Sequence, residues 1–212
     1  MTPVLHGYWR SSAAYRVRIA LALKGVAFDQ VTHDLRRGEQ RALGALNPQP
    51  LVPALETADG VLTQSPAILE WIEETWPQPP LLPAAPGDRA IVRAMAAIVA
   101  CDIHPVNNLR ILDALRSTLS ADEATVQRWI ARWIGDGFAA LEILIARHGG
   151  GFAFGDTPTL ADCHLVPQVY GAERFAVDLA PYPALMAAAE RARALPAFAS
   201  AHPAAQPDAD AA

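Results

Sequence analysis

The chain has 212 residues, enough for one large domain or two small ones with a buried core. Hydrophobic residues make up 52%, charged residues 18%, and the formal net charge is -5, a globular balance without the basic footprint that nucleic-acid binding needs. The opening residues carry no basic leader, no apolar run approaches the ~20 residues of a bilayer span, and Cys101 and Cys163 lie far apart. We therefore expect a soluble, cytoplasmic protein that meets neither membrane nor nucleic acid, has no disulfide framework, and uses both cysteines as small buried apolar residues.

Residues 3–9 have the character of a strand, and the next segment runs as a helix to Leu23, closed by Lys24 and Gly25, a cation and a glycine at a helix C-terminus. Phe28 to Thr32 reads as a second strand, Asp34 to Arg41 as a polar connection, and Asn47-Pro48-Gln49-Pro50 as a turn. Ala54 to Thr57 and Val61 to Gln64 form a hairpin around Asp59-Gly60. Ser65-Pro66, a cap followed by proline at the first helical position, opens a helix from Ala67 to Trp76. The order is β-α-β, then β-β-α. Prolines between Pro77 and Gly87 forbid regular structure and mark a linker.

Everything beyond the linker carries helical patterning. Asp88 to about Ser117 is a helix with a bend near Pro105, a capping box of Ser120 and Glu123 opens a helix to Arg147, and Gly149 to Gly151 stop it. Thr159-x-x-Asp162 caps a helix that Pro167 disturbs, and a last helix spans Pro183 to Ala194. The Ala-, Pro- and Asp-rich stretch from Ser200 to Ala212 reads as a mobile tail. The fold class is thus α/β plus all-α.

Arg10-Ser11-Ser12 stands where the first strand turns into its helix. Backbone N–H groups there have no intrahelical partners and carry the positive end of the macrodipole, Ser11 and Ser12 add hydroxyl donors, and Arg10 adds a fixed charge. The junction suits a thiolate or a carboxylate. Ordinary helix capping accounts for the serines equally well. At Leu51-Val52-Pro53 a cis proline would offer the Val52 backbone to an extended peptide, while a trans proline at a strand start fits the spacing too. Gln64 and Ser65 set an amide and a hydroxyl beside free helical N–H groups, a grip for the carboxylate at a peptide end. His104, between Asp102 and Pro105, is either a hydrogen-bonding proton carrier or a satisfied histidine at a bend. Cys101 and His104 make a Cys-x-x-His without a second ligand pair, so no metal is expected. Trp71, Trp76, Trp129 and Trp133 recur at helical spacing and read as core or interface, and Arg16 and Arg18 as structural.

Ser11-Ser12 with the run from Tyr15 to Leu21, Asn47-Pro48-Gln49, Val52-Pro53, Gln64-Ser65-Pro66-Ala67-Ile68, the run from Asp102 to Asn108 and the run from Gly155 to Asp162 carry a resemblance. Together they resemble the zeta class of glutathione transferases, which includes maleylacetoacetate and maleylpyruvate isomerases, almost end to end. The resemblance implies a thioredoxin-like glutathione-binding domain over residues 1–80, an all-helical C-terminal domain over 87–212, a homodimer, and glutathione as cofactor. On that pattern Ser11, seconded by Ser12, donates to the glutathione sulfur, and the Val52 backbone before Pro53 pairs with the cysteinyl unit. Gln64 and Ser65 clamp the γ-glutamyl carboxylate, and Gln40 lies near the glycyl end. Asp102, His104, Asn107 and Asn108 correspond to helical-domain residues that meet glutathione and substrate. Zeta chains usually carry cysteine after the two serines; Ala13 stands there, so attack by sulfur falls to glutathione itself. Lowering a thiol pKa by ~2 units from about 8.5 corresponds to about 2.7 kcal/mol, within reach of a helix terminus and a hydroxyl together.

Arg10, Arg110 and Arg174 carry guanidinium forks that suit carboxylates. Singly, Arg110 and Arg174 read as solvated surface residues; the resemblance implies instead a basic pocket for a dianion. The implied function is glutathione-dependent cis-trans isomerisation of a maleyl keto-diacid, maleylpyruvate or maleylacetoacetate, to its fumaryl isomer in aromatic-compound catabolism. Ser11 and Arg10 would serve the chemistry, and Arg10, His104, Arg110 and Arg174 would bind the small dicarboxylate. Two other functions share these features. One is conjugation or dehalogenation of small electrophiles such as α-halo acids at the same sulfur site. The other is a non-catalytic interaction module with a vestigial cleft, against which the intact set of Ser11, Val52, Gln64 and Ser65 weighs.

Overall fold

A computed structural model describes residues 1–210. The chain forms two compact units: residues 1–81 together with those from Arg193 onward, and residues 82–192. In the first unit β1 (Val4–Gly7), α1 (Ser12–Leu23), β2 (Asp29–Thr32), a 3-10 turn (Glu39–Ala45), β3 (Ala54–Thr57), β4 (Gly60–Thr63) and α2 (Ser65–Thr75) follow in order. The second holds α3 (Pro86–Ala97), a π turn (Ile98–Ile103), a 3-10 turn (Pro105–Asn107), α4 (Leu109–Leu119), α5 (Glu123–His148), α6 (Leu160–Arg174) and α7 (Pro183–Arg193). The chain then returns to the first unit with α8 (Pro196–Ala201). The expected β-α-β, β-β-α order and the helical remainder are both present.

The sheet runs β2-β1-β3-β4, with β1 parallel to β2 and the other pairs antiparallel. Its register decides where the loops emerge. Gly7 pairs with Thr32, His6 with Ala54, and Ala54 with Thr63. The exits of β1, β2 and β4 and the entrance to β3 therefore share one end of the sheet, so residues 8–11, 33–40 and 64–65 leave from it and residues 52–53 arrive at it.

Every residue of α1 from Ala13 to Leu21 is buried, because α2 and α8 both pack against it. That burial includes Arg16 and Arg18, each only 1% exposed. Such charges need polar partners: Arg16 Nη1 donates to Ser65 Oγ at 3.2 Å, and Arg18 donates to the carbonyls of Trp9 and Ala201 at 2.9 and 3.0 Å. Lys24 closes the helix and also pairs with Glu73 at 2.6 Å, while Glu73 accepts from the Leu81 N–H at 2.9 Å. Opposite charge thereby fixes the proline-rich run against α1 and α2.

Several expectations need correction. Ser65 is the first residue of α2 rather than its cap; Gln64 occupies the cap with φ 66°. The box of Ser120 and Glu123 does not form. Asp122 caps α5 by accepting from the Thr125 N–H, and Ser120 ends α4 in the left-handed region at φ 52°. Pro167 lies inside α6 without ending it. Cys163 is buried as expected, but Cys101 is exposed on the π turn. The tryptophans are half-buried, paired edge-on as Trp71 with Trp76 and Trp129 with Trp133. The tail is no loose end as far as it is described: Pro203 is buried and Asp208 and Asp210 bind the first unit, whereas residues 211 and 212 lie outside the described residues. By length and hydropathy the helical stretch Pro86–Leu119 meets the requirement for a membrane span. The π and 3-10 turns interrupt it, and α3 packs on α6.

Candidate active site

Ser11 is the N-cap of α1, its Oγ accepting from the Ala14 N–H at 3.2 Å. The capping reading and the anion-site reading are compatible here. An oxygen that already accepts keeps its own proton to donate, and the N–H groups of Ser12 and Ala13 have no acceptor among the described residues. Ser11 and Ser12 are half-buried, so the donors are sheltered yet reachable.

Arg10 precedes them, its guanidinium 5.3 Å from the Trp9 ring and without an ion pair among the described residues. Beside it, burial raises the Tyr8 phenol pKa, and the Arg10 charge only partly opposes that shift. Tyr8 therefore stays an O–H at neutral pH, with its buried hydroxyl unpartnered among the described residues. Among the described residues, the opening of α1 thus combines donors without an acceptor and a cation without an ion pair.

At the entrance to β3 the Val52–Pro53 bond is cis, and the N–H and C=O of Val52 have no partner among the described residues. Asn47, buried at 3% exposure, shapes the approach by donating to the Leu51 carbonyl at 2.9 Å and accepting from the Gln49 N–H at 3.0 Å. At the exit of β4, Gln64 takes a positive φ, a conformation that costs a non-glycine residue about 1–3 kcal/mol. Its amide is held by Gln49 Oε1. Ser65 Oγ accepts from Arg16, which leaves the Ser65 proton to donate, and the N–H groups of Ser65 and Ala67 are unpaired among the described residues. Gln40 lies in the 3-10 turn after β2, its buried Oε1 unpartnered among the described residues.

The structure thus gathers Arg10, Ser11, Ser12, Val52, Pro53, Gln64 and Ser65 at one end of the sheet, with Gln40 on the turn that follows β2 from the same end. A backbone N–H and C=O unpaired among the described residues, flanked by two helix N-termini, fit a short acidic peptide bearing a thiol, as glutathione is. Gln49 and Arg16 were not read as site residues from the sequence, although they hold Gln64 and Ser65. Only the Asn-Pro-x-Pro turn hinted at Gln49.

In the second unit the π turn and the 3-10 turn gather the other candidates. Asp102 is exposed on the π turn, and His104, half-buried, follows it, its N–H bonded to the Val99 carbonyl at 2.9 Å. Asn107 donates to the Ile103 carbonyl at 3.2 Å and keeps a buried, unpartnered Oδ1 among the described residues. Asn108 caps α4 by accepting from the Arg110 N–H at 3.3 Å. Arg110 itself is exposed without an ion pair among the described residues. Arg174 sits in the last turn of α6, its guanidinium 5.2 Å from the Phe175 ring. The first turns of α5 join these segments: Trp129 Nε1 donates to the Val106 carbonyl at 3.0 Å, and Gln127 donates to the Phe175 carbonyl. The bend bearing Asn107 to Arg110 and the end of α6 bearing Arg174 therefore flank one stretch of α5.

Residues 10–75 match the family model described as the glutathione S-transferase N-terminal domain. A maleylpyruvate isomerase from Ralstonia sp. is 55% identical over 208 residues, covering 96% of this chain and 98% of the relative. A holo structure of a maleylpyruvate isomerase, described as a bacterial glutathione S-transferase of the zeta class, superposes with a TM-score of 0.95 at 54% identity, covering 98% of this chain and 100% of the other. A maleylacetoacetate isomerase from Anaeromyxobacter dehalogenans 2CP-1 was solved with dicarboxyethyl glutathione and citrate in its active site. It superposes with a TM-score of 0.89 at 45% identity, covering 99% and 98% of the two chains.

Proposed function

This chain belongs to the zeta class of the glutathione S-transferase family, and on that footing we propose that it is a glutathione-dependent cis-trans isomerase. Its substrate is a maleyl keto-diacid, maleylpyruvate or maleylacetoacetate, converted to the fumaryl isomer in aromatic-compound catabolism. The observation that carries the reading is the opening of α1, where a guanidinium without an ion pair stands next to hydroxyl and N–H donors without an acceptor, among the described residues. A sulfur anion and a substrate carboxylate are thus served by consecutive residues. A relative at 45% identity that holds a glutathione bearing a dicarboxyethyl group supports the same pairing.

Bound glutathione supplies a sulfur nucleophile that adds reversibly to the conjugated double bond, so that the bond becomes single and free to rotate. The protein's part is to hold and to charge-balance. Ser11, with the N–H groups of Ser12 and Ala13, stabilises the thiolate. Val52 supplies a backbone donor and acceptor for the cysteinyl unit. Gln64 and Ser65, with the α2 N-terminus, take the γ-glutamyl carboxylate, and Gln40 attends the glycyl end. Asp102, His104, Asn107 and Asn108 are assigned to glutathione and substrate from the second unit. Arg10, Arg110 and Arg174 bind the two carboxylates and stabilise the enolate that develops, an entropic as well as an electrostatic gain. With alanine at position 13, the chain offers no thiol of its own there. We further take the protein to be a soluble, cytoplasmic homodimer; light scattering would give twice 22.7 kDa, and the single-chain mass would overturn the dimer.

Calorimetric titration tests the assignment of the arginines. The wild type should bind dicarboxyethyl glutathione more tightly than glutathione, and Arg10→Ala should erase that increment while binding glutathione as before. Equal affinity of the wild type for both ligands would remove the dicarboxylate pocket and leave conjugation or dehalogenation of other electrophiles.

A further inference from the structure

The peptide leading into the Arg10–Ser11 junction is held on both sides of a single residue. The Trp9 carbonyl accepts from the buried Arg18 guanidinium at 2.9 Å, and the Trp9 N–H donates to Asp208 Oδ2 at 3.0 Å. Arg18 reaches in the same way to the Ala201 carbonyl at the end of α8, 3.0 Å away. The other Asp208 oxygen accepts from Gln30 Nε2 on β2 at 3.2 Å. Two residues on, Asp210 pairs with Arg36 at 2.6 Å, and Arg36 lies 5.8 Å from the Tyr8 ring. Residues 201–210 thus form a strap tied to β2, to α1 and to Trp9, all inside the first unit.

A tail that merely covered the sheet would need apolar contacts. This one spends a carboxylate on a backbone N–H one residue before Arg10, a charge-assisted bond shorter in reach and stricter in direction than packing. Trp9 in turn carries Arg10 against its ring at 5.3 Å, and the Ser11 N–H is bonded to the Tyr8 carbonyl at 3.0 Å. Whatever fixes the Trp9 peptide fixes the guanidinium and the hydroxyl that follow it.

The geometry points to Asp208 as a positioning residue of the active site: through the Trp9 N–H it holds Arg10 and Ser11 in one arrangement. The kinetic consequence rests on the isomerase reading; the positioning itself needs only bound glutathione. Asp208→Ala removes the acceptor, whereas Asp208→Asn keeps an oxygen for the Trp9 N–H. The measurements are kcat at saturating glutathione and maleyl substrate, the pKa of the bound glutathione thiol from thiolate ultraviolet absorbance, and the melting temperature. A misplacement of an ångström costs up to ~100-fold in rate, so Asp208→Ala should lose about tenfold in kcat and raise the bound thiol pKa while remaining folded. Asp208→Asn should recover most of both. Wild-type kcat and thiol pKa in Asp208→Ala would overturn the proposal, as would an Asp208→Asn variant as impaired as the alanine one. If the wild type turns over no maleyl substrate, the isomerase reading fails, and the thiol pKa alone decides the role of Asp208.

Discussion

Ser11 shows how one side chain can cap a helix and still keep a hydrogen-bond donor. Its oxygen satisfies the Ala14 N–H, which orients the hydroxyl so that its hydrogen is free for an anion at the same helix end. Ser11→Ala should therefore cost about 1 kcal/mol of stability through the lost cap, and separately lower kcat about 100-fold through the lost donor. Urea unfolding and turnover measure the two effects, and a kcat unchanged beside the lost stability would reduce Ser11 to a cap. The cap was legible in the sequence because a serine before an apolar-periodic helix is a local pattern. Residues that act on a distant partner leave no such pattern. Asp208 meets Trp9 across 199 positions and Gln49 meets Gln64 across 15, so neither spacing repeats anything a periodicity or a motif would reveal.

Among the elements, α6 is the one whose start the sequence specified most fully. Thr159 and Asp162 form the reciprocal capping box expected from Thr-x-x-Asp, the Asp162 carboxylate accepting from the N–H groups of Ala153 and Thr159 and from Thr159 Oγ1. Burial nevertheless outweighs those bonds and pushes the Asp162 pKa up to about 6 from its ordinary 3.8. A carboxyl whose folded pKa is raised binds its proton more tightly in the native state. Its contribution to stability is thus largest below pH 4 and falls as pH rises to about 6, by on the order of 3 kcal/mol. His33, its pKa lowered by burial and by the neighbouring His6, acts in the opposite sense as pH rises through its range. The difference between wild type and Asp162→Asn isolates the carboxyl. Their stability gap measured by urea unfolding should shift between pH 4 and 6 and stay constant above about 7; a gap independent of pH would show that the bonds fully offset burial. Elsewhere local rules competed. The pattern placed the α5 cap at Ser120, but Asp122, two residues nearer the helix, caps it, and Ser120 takes the left-handed end of α4. The π turn that carries Asp102 is invisible to a helical period, since an extra residue in one turn leaves the neighbouring repeats intact.

At the scale of the whole molecule, composition predicted the order of an α/β part and a helical part, but not that the chain would come back. The stretch from Ser200 has the Ala, Pro and Asp content of a loose tail, yet Asp208 and Asp210 find cationic or N–H partners in the first unit and Pro203 is buried. Composition averages over a segment, whereas two well-placed carboxylates are enough to order it. The division of labour follows from the fold: the first unit presents a sheet end suited to a thiol-bearing peptide, and the second carries further cationic and amide side chains on a broken helix. The central claim is that this arrangement isomerises a maleyl keto-diacid through glutathione. The most direct test is a spectrophotometric assay of purified protein on maleylpyruvate and on maleylacetoacetate, with and without glutathione. The account predicts conversion of at least one compound to its fumaryl isomer, strictly dependent on glutathione and without its net consumption. Absence of isomerisation of both with glutathione present, or equal rates without it, would contradict the account.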